Sequence, residues 1–196
     1  MRNTTKPCAA HTEGFTLVEV IVVVAVLALL AGLVLPSVSS VTDDTKASKI
    51  LATVDTLKKA CDYHHTHTGA LATETTTSTA TRRHELSVEQ RTAGWKGPYL
   101  DHPLSRGDNP FNHHIIVYES FSSGGGNAPV GFDLLGSGTD SATGAGQYVM
   151  FYNIPEETAQ AINDTLDGGI RGSWQTTGRV EYVSSSKRLN VFLFDV

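Results

Sequence analysis

Basic residues are few: 15 Lys and Arg stand against 20 Asp and Glu, a formal net charge of −5 over 196 residues. A chain that holds nucleic acid needs a basic patch or stripe, so no nucleic-acid partner is expected. Cysteine is nearly absent. Cys8 and Cys61 cannot build a disulfide framework, and a Cys₂His₂ zinc finger would need its two cysteines close together. Aromatic residues make up 8% and charged residues 18%, which excludes both a disordered chain and a coiled coil throughout. The motifs of common catalytic chemistries are missing as well: there is no G-x-S-x-G elbow, no H-E-x-x-H, no P-loop and no Cys–His nucleophile arrangement. The mean hydropathy of −0.12 excludes a protein of several membrane spans.

Apolar residues are present, but unevenly placed. Residues 1–14 are short and polar, with Arg2 and Lys6. Phe15–Leu35 follows as FTLVEVIVVVAVLALLAGLVL and stops at Pro36; from Val20 to Leu35 sixteen residues pass without a polar side chain. As a helix this run would be about 31 Å long, roughly the hydrocarbon thickness of a bilayer. It reads as a single span with the positive leader on the cytoplasmic side. A secretory signal would place a small-residue cleavage site after the apolar core. Here Gly14 precedes the core, and Ala31-Gly32 lies inside it. A plain signal anchor does not account for Glu19, because a carboxylate at mid-bilayer costs about 2.5–3.5 kcal/mol on insertion scales.

A cut after Gly14 would supply a partner for that carboxylate. Phe15 would then carry a free α-ammonium, and Glu19 would be the fifth residue of the new chain, one helical turn in. The run Gly14-Phe15-Thr16-Leu17-Val18-Glu19 before an apolar helix resembles the class III signal of type IV pilins and type II secretion pseudopilins. The resemblance implies cleavage between Gly14 and Phe15 by a prepilin peptidase and N-methylation of Phe15. It also implies filament assembly through Glu19, and a helix-kinking proline at Pro36. Residues 1–14 would be the leader peptide, 15–36 the transmembrane and filament-core helix, and 37–196 a periplasmic or extracellular globular domain.

Beyond Pro36 the chain turns polar, and Ile50, Val54, Leu57 and Cys61 recur at i, i+4, i+7 and i+11 with Leu51 beside them. This is the stripe of a helix packed on one face. The first half of the long helix is apolar all round and the second half amphipathic. A bend or local melt is expected near Gly32–Pro36, because proline removes an i to i−4 hydrogen bond. Cys8 would leave with the leader, so the mature chain would hold one thiol, on the buried stripe. Many type IVa pilins close a C-terminal loop with a disulfide, and this sequence departs from that pattern. His64, His65 and His67 sit near the helix end. Adjacent histidines on a helix point to different faces, so solvated helix-end polarity is expected there rather than a metal site.

The remainder reads as an antiparallel sheet with loops, giving an α+β fold overall, the pilin fold by resemblance. Thr73–Thr81, seven of nine residues Thr or Ser, reads as an exposed loop. Trp95-Lys96-Gly97-Pro98-Tyr99-Leu100 and Asp108-Asn109-Pro110-Phe111 then lead into a strand at Ile115–Tyr118. This pattern resembles the region after the helix in major pseudopilins, although Asn109 interrupts it and Asn112 stands where Gly is common. Trp95, Tyr99 and Phe111 are expected to pack on the helix. Gly131–Asp140 reads as a strand and a turn. In major pseudopilins a similar strand leads into an acidic loop that binds calcium, which would place calcium near Asp140. Calcium takes six to eight oxygen ligands. The loop Gly136–Gly146 offers one carboxylate, with Ser137, Thr139, Ser141 and Thr143 as weak substitutes. Pro155–Leu166 reads as a short amphipathic helix. Its inner face is Ala159, Ile162 and Leu166, Pro155 takes its first position, and Gly168 and Gly169 form its stop. Gly178–Val183 and Leu189–Leu193 read as a hairpin around Ser184–Lys187.

The reading is therefore a structural subunit and not an enzyme. It belongs to a type II secretion pseudopilus or a related type IV pilus-like filament. Its expected partners are copies of itself, minor pilins or pseudopilins, the prepilin peptidase, an inner-membrane assembly platform and the membrane. The alternatives are a type IV pilus major or minor pilin and a membrane-tethered binding module. The location is the inner membrane, single-pass, with the C-terminal domain in the periplasm, and afterwards a filament. In cells with an active prepilin peptidase, the chain extracted from membranes is expected to begin at methylated Phe15. Intact mass and N-terminal sequencing check this, and a chain still beginning at Met1 would refute it.

Overall fold

The computed structural model describes residues 14–77, 83–121, 131–168 and 172–196, and of residues 32–43 the helical backbone alone. Leader residues 1–13 with Cys8, residues 78–81 of the Thr-rich stretch and Gly169 lie outside the described residues, and at Pro36 the described backbone is helical. The chain divides into two compact units, Met1–Val41 and Thr42–Val196. One α-helix, α1 (Leu17–Thr68), contributes to both.

In the first unit every large apolar side chain from Phe15 to Leu30 is exposed, on all sides of the helix. Among the described residues no helix is long and apolar enough to cross a membrane. The described side chains of this run end at Ala31, while its apolar sequence continues to Leu35.

In the second unit the stripe read from the sequence is buried: Ile50, Val54, Leu57 and Cys61 are at most 4% exposed. Ala47, Ala60 and His64 extend it. The partner is a five-stranded antiparallel sheet built from β1 (Glu74–Thr75), β2 (Ile115–Ser120), β5 (Ala145–Tyr152), β6 (Val180–Val183) and β7 (Arg188–Asp195). Its order is β1-β2-β5-β7-β6. Strands alternate their side chains between faces, and the register aligns Val117, Val149, Val191 and Val180 in one row across four strands. Ile115, Phe151, Leu189 and Tyr182 form the next row on the same face. Both rows belong to one core with the α1 stripe and with Ala159 and Ile162 of α2 (Glu156–Leu166). The opposite face carries Tyr148, Met150 and Phe192. It is covered by Phe121 and by Phe132 and Ala142 of a small ribbon, β3 (Gly131–Phe132) and β4 (Ala142–Thr143). β5 therefore has both faces covered, and six of its eight residues are buried.

Tyr99 and Phe111 pack against the core as expected, with the Lys46 ammonium 5.0 Å from the centre of the Phe111 ring. Trp95 stands edge-on to Tyr99, whose ring in turn meets His64 and His67 of α1. Pro155 is the residue before α2 rather than its first position. The β6–β7 hairpin closes through a 3₁₀ turn at Ser184–Ser186 and Lys187 in the left-handed region. The outer edge of β6 is not bare: Val180 N–H donates to Asp167 Oδ2 at 2.8 Å and Tyr182 N–H to the Gln175 carbonyl at 2.9 Å. Such coverage blocks edge-to-edge pairing. Gly178 makes the approach feasible, since its φ is +97° and a Cβ there would meet the Asp167 carboxylate at 2.5 Å.

One expectation is corrected. Thr73, Glu74 and Thr75 are buried, not an exposed loop. The cause is Glu74, whose carboxylate is fully enclosed. It accepts hydrogen bonds from Leu86 N–H at 3.1 Å, Ser87 Oγ at 2.9 Å and Leu104 N–H at 3.4 Å, and pairs with His84 Nδ1 at 2.9 Å. A lone buried carboxylate would be costly, but here donors from two chain segments, 84–87 and Leu104, surround it. Glu74 thus ties the long connection between α1 and β2 to the sheet edge.

A fragment from Ser37 to Val196 is expected to be soluble, monomeric and cooperatively folded. Within it Glu74→Ala, which strands His84 and two backbone donors, is expected to cost about 3–5 kcal/mol. Urea unfolding followed by circular dichroism checks both. A fragment without a cooperative transition, or a Glu74→Ala transition unchanged from wild type, would contradict this description.

Candidate functional site

Gly14, Phe15, Thr16 and Glu19 lie together at the start of α1. Gly14 is exposed, and a Cβ built there would have no heavy atom within 4 Å. Phe15 is 83% exposed. The Gly14–Phe15 bond therefore sits on open backbone just ahead of the first helical residue, Leu17.

The helix start has its own polar closure. Thr16 N–H and Thr16 Oγ1 both donate to Glu19 Oε2 at 3.0 Å. Glu19 N–H donates back to Thr16 Oγ1 at 3.3 Å. This is a reciprocal capping box: the residue before the helix and the third residue within it satisfy each other's orphan donors. A carboxylate in the first turn also opposes the positive end of the helix dipole. Sequence reasoning singled out Glu19 as a charge in search of a partner and missed Thr16. The signal was there in Thr16-Leu17-Val18-Glu19, the T-x-x-E spacing of such a box, ahead of an apolar run.

The other candidate residues do not converge. Cys61 is fully buried and unbridged, and burial, with the charges of Glu74 and Asp62, pushes its thiol well above the ordinary range. A thiol so placed is a packing residue and not a nucleophile. The three helix-end histidines part company. His64 is only 2% exposed, contrary to its reading as solvated polarity; its Nδ1 lies 3.1 Å from the Ala70 carbonyl, and burial holds its pKa down. His65 lies against the Phe194 ring, and His67 Nδ1 is 3.1 Å from the Tyr99 hydroxyl. Among the described residues no three His, Cys, Asp or Glu side chains are grouped to hold a metal ion.

In the Gly136–Gly146 loop Asp140 is exposed. The buried carboxylate nearby in sequence, Asp133, is spent inside its own turn, accepting Ser137 N–H at 3.0 Å and Gly138 N–H at 2.7 Å. Burial pushes the Glu181 carboxyl up to about 8, and the Asp140 charge acts in the same direction. A cavity of about 270 Å³ lies between α1 and the segment 100–108. Leu57, Leu100 and Leu104 are among its apolar walls, and Lys49, Asp101, His102 and Asp108 add polar groups.

Comparison with known proteins bears on the helix start. Residues 10–35 match the family described as the prokaryotic N-terminal methylation motif, the class III signal of type IV pilins and pseudopilins. The match covers Gly14, Phe15, Thr16 and Glu19, and stops one residue short of Pro36. No curated protein and no solved structure matches the chain. The motif supports a pilin-like nature and implies, in general, processing by a prepilin peptidase and assembly into a filament. The architecture, a long N-terminal helix with a small antiparallel sheet, is consistent with the pilin fold.

Thr16→Ala removes one half of the capping box. Losing a threonine cap costs about 1 kcal/mol, equivalent to roughly a fivefold rise in local opening. Amide exchange at Leu17–Val20 in the full chain in detergent micelles is expected to speed up by that factor. Unchanged exchange would show that the Thr16–Glu19 contact does not hold the helix start.

Proposed function

We propose that this chain is a structural subunit of a type II secretion pseudopilus or a closely related type IV pilus-like filament. The observation that carries the reading is the helix start itself. An open Gly14–Phe15 bond, a carboxylate one turn in and a helix apolar on every side occur together within the matched motif. Large apolar side chains exposed all round a helix are unfavourable in water by about 25 cal/mol per Å². They call for lipid before assembly and for neighbouring helices after it. On this reading the chain waits in the inner membrane as a single-pass protein with its sheet-bearing unit in the periplasm.

The mechanism is an exchange of partners at Glu19. Among the described residues its carboxylate accepts from Thr16 alone. Removal of the leader creates the Phe15 ammonium beside that same carboxylate. Charge-assisted hydrogen bonds are roughly twice as strong as neutral ones. A neighbouring subunit's ammonium can then compete for Glu19 within a low-dielectric helix bundle, and that contact sets register between subunits.

The Gly97-Pro98-Tyr99-Leu100 and Asp108-Asn109-Pro110-Phe111 segments favour the secretion pseudopilus. A second reading, a type IV pilus major or minor pilin, draws on α2, the β6–β7 hairpin and the size of the chain, since major pseudopilins tend to be shorter. A membrane-tethered binding module needs no leader removal at all.

Glu19→Val separates the filament readings from the tethered module. The variant is expected to insert in the membrane and to lose its leader as wild type does, since Gly14 and Phe15 are untouched. Sheared filaments, or secretion through them, are expected to fall well below wild type, since the charge contact between subunits is lost. Leader removal, membrane fraction and filament yield are scored separately. Assembly equal to wild type would remove Glu19 from the mechanism, and an uncleaved wild-type chain would favour the tethered module.

A further inference from the structure

Where β2 begins, a histidine holds a cation that has only protons to offer. Arg106 stands on a 3₁₀ turn, Arg106–Asp108, and its Nη2 lies 3.1 Å from His114 Nε2. A guanidinium has no acceptor. The bond therefore requires Nε2 to be the bare nitrogen and Nδ1 to carry the proton. Thr76 agrees with that assignment: its Oγ1 is 3.1 Å from His114 Nδ1, accepts Ile115 N–H at 3.0 Å and lies 3.2 Å from the Ile115 carbonyl, to which it donates. Each polar atom of the set has one role, and neutral His114 is the only form that fits all of them.

We propose that His114 is an acid-sensitive latch: a proton taken up at Nε2 breaks its bond to Arg106 and loosens the Ser105–Asn109 turn from the start of β2. The proton turns an acceptor into a donor and sets a second positive charge 3.1 Å from the guanidinium. The groups around the ring add no compensation. Arg106 faces it from the turn, the adjacent His113 is edge-on to it just before β2, and the uncharged Tyr152 ring is edge-on from β5. Thr76, just after β1, is uncharged. Two ties remain when the latch opens, Lys49 Nζ to the Gly107 carbonyl at 2.8 Å and Asn109 Nδ2 to the Tyr152 carbonyl at 2.9 Å. The turn therefore swings on these rather than unfolding.

The sign follows from linkage. Burial, then Arg106 and His113, hold the folded His114 below its ordinary value of 6.5. The loosened form binds the proton more readily. The closed form is thus fully favoured above 6.5, and its advantage is lost progressively as pH falls through and below that value. His64 also titrates low, but its ring contacts Thr68, Ala70 and Tyr99, so a readout confined to the turn separates the two.

The test is amide exchange on the full chain in detergent micelles at about pH 7 and about pH 5, corrected for the intrinsic pH dependence. Exchange over Arg106–Asn112 is expected to rise about tenfold at the lower pH, while Val149–Phe151 in the central strand does not change. In His114→Gln, which accepts from Arg106 and does not titrate, the rise is expected to vanish. An unchanged turn, or an equal rise in His114→Gln, would overturn the proposal. Should that variant fail to fold, imidazole ¹⁵N shifts of the wild type decide. Nδ1-protonated His114 with a midpoint below 6.5 supports the latch, and an Nε2-protonated ring or a midpoint at or above 6.5 rejects it. Arg106→Gln should bring the midpoint back up.

Discussion

Burying one stripe of α1 against one row of valines is the contact on which the second unit depends. Ala47, Ile50, Val54, Leu57 and Cys61 supply the helix side. Val117, Val149, Val191 and Val180 supply the sheet side, one from each of four strands. Because strand side chains alternate, a slip of one residue in any of these strands would turn its valine to the other face. The helix thereby fixes the register of the sheet. The rest follows from that: the opposite face must be covered in turn, and the β3–β4 ribbon and Phe121 cover it. The same helix, from Leu17 to Leu30, keeps no stripe and exposes apolar side chains all round. One continuous element therefore serves two surroundings, and the division lies in its sequence and not in its backbone.

Two carboxylates mark the ends of this arrangement, and they solve the same problem differently. Glu74 is enclosed and surrounded by four donors, which makes it structural. Glu19 is exposed and, among the described residues, held only by Thr16, one turn away. The first cannot change partners without breaking the connection between α1 and β2. The second can, and partner exchange is what subunit addition in a filament requires.

What could be read from the sequence divides along physical lines. The α1 stripe was legible because one buried face leaves a 3.6-residue period. The β6–β7 hairpin was legible from its turn. β5, the centre of the sheet, was not: both its faces are covered, so Gly146–Phe151 carries no alternation to read. Thr73–Thr75 was misread because its burial depends on His84, Ser87 and Leu104, ten to thirty residues away. At the helix start, Gly14, Phe15 and Glu19 were legible as a motif, since that signal is local. Thr16 was in plain view but overlooked, and the pairing of His114 with Arg106 needs the fold to bring a turn and a strand together.

The central claim is that this chain works as a processed filament subunit, and the direct measurement is mass spectrometry of filaments sheared from cells. The account predicts this chain in the filament fraction with methylated Phe15 at its N-terminus, and its absence from that fraction in cells lacking the prepilin peptidase. Recovery only as an uncleaved membrane monomer beginning at Met1, in cells that assemble filaments normally, would contradict it.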